Sequence, residues 1–205
     1  MKEQKNVKPF GIRDKFAYAM GDFGCELSYA MVSSYLLVFY TKVIGIEAGI
    51  IGTMFMLARF VDAFTDVTMG RICDRSPNTR CGKFKPWIRR MCVPVAISSF
   101  LIYQSSLADM SMGFKIGYLF VTYILWGSFF YTSINIPYGS MASAISAEPG
   151  DRQSLSTYRS IGATFASVIV GAIIPLIAYK EQNGIMVLDG KIFTTIAGVF
   201  SICAV

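Results

Sequence analysis

Three charges sit inside one of the most apolar stretches of this chain, and few folds can hold them. The stretch GTMFMLARFVDAFTDVTMG, residues 52–70, carries Arg59, Asp62 and Asp66 within a run otherwise fit for hydrocarbon. A continuous apolar run of roughly 18 or more residues reads as a membrane-spanning helix. Five such runs are expected, over about 16–41, 47–72, 87–107, 113–142 and 157–179, and a sixth begins near Lys191 and is cut short at Val205. The runs do not alternate, so they do not fit a transmembrane barrel. Only 16% of the 205 residues are charged and the mean hydropathy is +0.50, whereas soluble domains carry about 25% charged residues. The expected fold is therefore an all-α membrane bundle over 16–205, preceded by a basic cytoplasmic leader over 1–15.

Asp62 and Asp66 stand at i and i+4, so their carboxylates share a helix face, and Arg59, three residues before Asp62, lies on that face too. An ionised side chain at a helix centre costs roughly 2.5–3.5 kcal/mol to insert, so three facing lipid would cost about 8–10 kcal/mol. They must face a protein interior or a wet cavity. Two carboxylates with the hydroxyl of Thr65 nearby form an oxygen-rich site suited to a hard monovalent cation. The same pair can instead share a proton, because the second carboxylate resists ionising beside the first. A packing salt bridge from Arg59 to Asp62 is the competing structural reading, and it leaves one carboxylate over. With no histidine in the chain, any proton coupling would run through carboxylates.

The first run repeats the spacing with Asp22 and Glu26 in GDFGCELSYA, and the fourth holds Tyr123, Trp126, Tyr131, Thr132 and Asn135. Carboxylates and amides take hydroxyl pairs, and aromatic faces stack on C–H patches, so this set suits a sugar. Bundle packing or an interfacial belt is the plainer reading of any one of these aromatics. Ala163, Ser167 and Gly171 recur every four residues in the fifth run and read as a helix-packing seam. Pro137 and Pro175 are expected to bend or interrupt their helices unless neighbours bond the carbonyls they free. The five cysteines form no CxxC pair and read as buried or reduced thiols, so neither a structural metal nor a cofactor is expected.

The net charge of +6 is distributed by side. Five basic residues lie in the leader, seven at or after the end of the second run, and two in the connection after the fourth. Only Lys42, Lys115, Lys180 and Lys191 flank the other side. That asymmetry obeys the positive-inside rule and puts the N-terminus in the cytoplasm. It also argues against a nucleic-acid partner. No short apolar region with a small-residue cleavage site follows the leader, so it is not a signal peptide.

The inner loop GRICDRSPNTRCGKFKPWI, with Gly70, Asp74, Arg75, Arg80, Gly82 and Lys83, is similar to the loop motif of major facilitator transporters, in which an acid and basic residues latch helix ends and release them as a gate opens. Together with ARFVDAFTDVTMGRICD, GKFKPW, TYILWG, NIPYGSMAS and DRQSLSTYRSIGA, it makes the chain resemble the glycoside–pentoside–hexuronide:cation symporters, the melibiose permease-like branch of the major facilitator superfamily. The resemblance implies the N-terminal six-helix half of a twelve-helix transporter. It implies a coupling cation (Na+, Li+ or H+) at Asp62 and Asp66, assisted by Thr132. It implies a sugar held by Glu26, by the position of Asn135 and by Arg159. The chain departs from the family pattern at Thr65, where an asparagine ligand is usual, at Asn135, where a second acid is usual, and at Gly139, where a tryptophan is usual. The NIPYG form resembles relatives that move xylosides or glucuronides. The expected function is cation-coupled symport of a sugar, not enzymatic catalysis, with membrane lipid, a small sugar and the C-terminal half of the transporter as partners. The alternatives are a lipid or drug transporter of the same fold, and a non-transporting membrane partner should the chain be complete.

Overall fold

The computed structural model describes residues 10–79, 82–182 and 185–204. Most of the expected leader and Arg80 of the expected loop latch lie outside these residues. Helix α1 (Ile12–Phe39) runs into a π-helical turn, Tyr40–Ile44, which Gly45 ends with φ 83°. Helix α2 covers Ala48–Arg75, and α3 covers Lys85–Ile102. Helix α4 (Met112–Ile124), a π-helical turn at Leu125–Tyr131 and α5 (Thr132–Ile145) make one continuous limb. Helix α6 covers Pro149–Ala178. A hairpin of β1 (Tyr179–Gln182) and β2 (Ile185–Leu188), with Tyr179 opposite Leu188, leads into α7 (Gly190–Cys203).

Several boundaries differ from the sequence expectation for identifiable reasons. Helix α1 begins at Ile12, so Arg13 and Lys15 of the expected leader are helical; Asp14 closes its first turn by accepting the Gly11 N–H at 2.9 Å. Helix α6 begins at Pro149, well before 157, because proline suits a first helical position and Asp151 accepts from Ser146 at 2.7 Å. The third run reaches only Ile102, and Ser105–Asp109 form a 3-10 turn instead. Among the described residues, four helical rods are long and apolar enough to cross a membrane: Ile12–Ile44, Ala48–Arg75, Met112–Ile145 and Pro149–Ala178. Helix α3 falls outside that set; it has 18 residues and carries Lys85, Arg89 and Arg90. Helix α7, with 14 residues, is shorter still. Both nevertheless pack within the same six-rod bundle.

Helix α1 is the hub. It lies along α6 over the most extensive helix contact among the described residues and also meets α7, while α2 packs on α5 and α3 on both α5 and α7. The seam between α1 and α6 is one face over from the expected stripe. Ala166, Val170, Ile174 and Ala178 are buried at four-residue spacing, and Gly162 continues the row. A Cβ on Gly162 would lie 2.9 Å from the Ala19 carbonyl oxygen. Ser167 and Gly171 of the expected stripe are exposed, and nothing lies near Gly171. Small residues occur on both faces, but only one face meets α1.

In apolar surroundings each backbone carbonyl needs a donor. The last carbonyls of α3 obtain theirs from three other rods: Tyr118 donates to Leu101 at 2.8 Å, Tyr40 to Ile102 at 2.7 Å and Thr194 to Tyr103 at 2.5 Å. Phe39, Tyr103 and Phe193 pack together beneath these bonds, with ring centroids 5.2–5.4 Å apart. Pro137 does not break α5. It lacks the N–H that would bond the Ser133 carbonyl one turn back, and the Trp87 indole donates there instead, at 2.8 Å.

Three outcomes are expected for thermal unfolding in detergent. Gly162→Ala lowers the midpoint while Gly171→Ala does not, because only the first drives a methyl group into a backbone carbonyl. Trp87→Phe destabilises by about 1–3 kcal/mol by leaving a carbonyl unbonded, and the loss shrinks in a Pro137→Ala background, where residue 137 regains its N–H. Asp189 caps α7 through the Lys191 and Ile192 N–H groups and pairs with Lys180 at 2.7 Å. The Lys180 ammonium and the Ile192 N–H hold its carboxyl below the ordinary value of 3.8. A lowered carboxyl stabilises the fold above that value and stops doing so as pH falls through its folded pKa. Asp189→Ala therefore costs about 1 kcal/mol at neutral pH, and the difference from the parent narrows in acid.

Candidate functional site

The inward stripe of α2 begins as an ordinary packing face, with Ile51, Met54 and Ala58 buried. One turn further on, the same stripe carries Asp62 and then Asp66. These carboxylates occupy positions where helical periodicity would place core residues, and the bundle leaves space there. A cavity of about 630 Å³ opens between α1, α2, the α4–α5 limb and α6, lined by both aspartates together with Glu26, Trp126, Thr132, Asn135 and Arg159.

The π-helical turn at Leu125–Tyr131 shapes the opposite wall. A π turn carries an extra residue and so rotates the helix beyond it. Thr132 bonds back to the Gly127 carbonyl five residues earlier at 3.2 Å and donates to Asp66 at 3.1 Å. Ser128 donates to Asp62 Oδ1 at 2.5 Å. Asp62 and Asp66 thus each face one hydroxyl of the limb. Ser128 was not anticipated from sequence, although it stands four residues before Thr132 and therefore on the same face. Arg59 sits 3.7 Å from Asp62 Oδ2 with its side chain 76% exposed. It lines the cavity beside the two aspartates. An ion pair that open to water contributes little.

The second group of residues adjoins the first. Tyr131 donates to Glu26 Oε1 at 3.2 Å. Its ring stacks on Tyr29 at 5.0 Å and on Trp126 at 5.4 Å. Trp126 is itself buried, with its indole N–H on Ser99 at 2.7 Å, so the aromatic wall is anchored from behind. Tyr123 extends the wall toward Phe55. Arg159 of α6 donates through Nη2 to Asn135 Oδ1 at 2.6 Å and through Nε to Asp22 Oδ1 at 2.8 Å. Tyr29 also escaped the sequence reading; its only signal is the three-residue spacing from Glu26.

Two expected site residues are not brought into the cavity. The Thr65 hydroxyl donates to the Val61 and Asp62 carbonyls of its own helix, both at 3.1 Å, and does not line the cavity. Asp22 is 5% exposed and lies behind Arg159, outside the lining. The loop residues are remote from both. Gly70 lies within α2 with open space around it. Lys83 reaches back from the loop to the Asp74 backbone carbonyl at 2.9 Å, and Gly82 takes φ 90° in the turn closed on Thr79. Arg75 ends α2.

The described residues include no cluster of three or more His, Cys, Asp or Glu side chains arranged to hold a metal. What the cavity offers is a carboxylate pair with hydroxyls on one side and, on the other, a carboxylate, an amide and a guanidinium beside stacked rings.

Residues 17–205 match the family model described as MFS/sugar transport protein. An uncharacterized symporter of Bacillus subtilis is 36% identical over 97% of this chain and 42% of its own length. The isoprimeverose transporter of Lactiplantibacillus pentosus is 39% identical over 85% of this chain and 36% of its own. A glucuronide carrier protein homolog of Escherichia coli is 40% identical over 77% and 34% respectively. The chain thus spans less than half the length of these relatives.

Proposed function

The chain belongs to the MFS/sugar transport protein family, in its glycoside–pentoside–hexuronide:cation symporter branch, and from that premise we propose that it forms the N-terminal half of a transporter coupling cation entry to uptake of a sugar or glycoside. One observation carries the coupling. Tyr131 and Thr132 are consecutive residues, and the first bonds Glu26 while the second bonds Asp66. A cation held between Asp62 and Asp66 would draw on the Thr132 and Ser128 oxygens. Any shift of Thr132 toward it would carry Tyr131, and with it Glu26 and the aromatic wall.

The mechanism rests on charge. Without a cation, two carboxylates one turn apart repel each other, and the Ser128 and Thr132 hydroxyls bonded to them offset that repulsion only in part. Na+, Li+ or H+ removes the rest and fixes the α2 face against the limb. The neighbouring wall of Glu26, Asn135 and Arg159 is then set for sugar hydroxyls, with ring C–H patches against Tyr131 and Trp126. By linkage the sugar tightens cation binding by the same factor. Rocking of this half against a second one around the cavity exposes it alternately to the two sides. The basic leader and inner loop would place the N-terminus in the cytoplasm.

Cation-driven uptake by the full-length protein tests this reading. Asp62→Asn and Asp66→Asn each abolish accumulation of substrate. Thr132→Val raises the half-saturating cation concentration roughly tenfold, in keeping with the loss of a bond to a charged group. Thr65→Val leaves it near the parent value. Normal cation-dependent accumulation in both asparagine variants would sink the proposal. So would a purified protein whose stability responds to lipids or drugs and to no sugar.

A further inference from the structure

The cavity's charges point to the kind of sugar it takes, if the proposed function holds. Among the described residues its wall carries three carboxylates, Glu26, Asp62 and Asp66, against two guanidiniums, Arg59 and Arg159. Arg59 is mostly in water and faces Asp62. Arg159 is therefore the only cation set beside the sugar-facing wall, and it is already neutralised. Asp22 sits directly behind it at 2.8 Å, 5% exposed. The second oxygen of Asp22 is buried without any hydrogen-bond partner, so no other donor offsets its charge. The pair is one acid to one base.

We propose that the substrate is an uncharged glycoside, and that Asp22 is the positioning residue that makes it so by holding and neutralising Arg159 from behind. A guanidinium has five N–H donors. Here Nε is taken by Asp22 and Nη2 by Asn135, while Nη1 lies over Gly139, where even a Cβ would be 3.4 Å away. The remaining donors serve hydroxyl oxygens, as neutral donors would. A hexuronide carboxylate entering the same place would meet Glu26 with no uncompensated positive charge to receive it. One monovalent cation at Asp62 and Asp66 still leaves the site, Asp22 included, with a net negative charge. Like charges brought together in an enclosed site are strongly unfavourable.

The test uses the full-length protein in proteoliposomes at saturating cation, with nitrophenyl β-D-glucoside, β-D-xyloside and β-D-glucuronide competing for the same site. The parent binds the better neutral glycoside at least about tenfold more tightly than the glucuronide, the discrimination expected of one unpaired charge near the surface of a cavity. Asp22→Asn keeps an acceptor for Arg159 but frees its charge, and the neutral-to-acidic preference falls roughly tenfold. Asp22→Glu restores it. A merely structural role for Asp22 would weaken all three ligands together and leave the ratio unmoved, and that result overturns its assignment. Asn135→Asp provides the opposite change should Asp22→Asn fail to fold: one more carboxylate beside Arg159 steepens the preference, and an unchanged or reversed ratio counts against the proposal. A parent protein that prefers the glucuronide overturns the inference while leaving symport standing. A parent that binds none of the three in any cation overturns both.

Discussion

A buried charge needs a partner, and in this bundle the bond between Arg159 and Asp22 meets that need for three rods at once. Arg159 comes from α6, Asp22 from α1, and Asn135, which takes the second guanidinium bond, from α5. Removing Arg159 typically costs about 3–5 kcal/mol, because the buried Asp22 carboxylate is left charged and dry. The seam of α1 and α6 sets how near the pair can come. Gly162 lets the α6 backbone approach Ala19 of α1; Asp22 lies one turn after Ala19 and Arg159 one turn before Gly162. Tyr138 of α5 lies against the guanidinium from below, 5.5 Å from ring centroid to Cζ, and its ring stacks on Tyr18 of α1. The two tyrosines also exchange hydroxyl-to-carbonyl bonds, Tyr18 to Tyr138 and Tyr138 to Tyr18.

The second constraint is the backbone. Hydrocarbon offers no hydrogen bonds, so irregular helix is tolerated only where side chains from other rods meet its polar groups. Both irregularities of the α4–α5 limb are met by side chains. The π turn is bridged by Thr132, and the carbonyl freed by Pro137 is taken by Trp87. These repairs put Ser128, Tyr131, Thr132 and Asn135 on one wall opposite α2. The fold and the candidate site are therefore linked: the same departure from α geometry that needs support also aims the cavity residues.

Much of the architecture was legible in advance because hydrophobic length and helical period are local properties. The rods, the short polar connections and the shared face of Arg59, Asp62 and Asp66 all come from residue order. The family branch was legible from stretches such as ARFVDAFTDVTMGRICD and NIPYGSMAS. Local rules failed where two answers were locally equivalent. Ala163–Ser167–Gly171 and Gly162–Ala166–Val170 are both small rows on α6, and only the position of α1 chooses between them. The proline start of α6 moved that helix's beginning from the expected 157 to Pro149, because hydropathy alone does not register caps.

Asp22 and Glu26 show where sequence reading stops. They share a helix face, yet at 3.6 residues per turn they are offset by roughly 40° in direction and 6 Å along the axis. That offset sends Glu26 into the cavity and Asp22 behind Arg159. Thr65 likewise lies beside two cavity aspartates, but its hydroxyl turns to its own backbone, as threonine in a helix often does. The sequence by itself determined that apolar helices would form and that the charges of α2 must avoid lipid, because the cost of burying backbone and charge depends on residue type and spacing alone. Only the tertiary structure decided which charges meet each other and which meet the cavity, because that depends on the rotation and separation of helices distant in sequence.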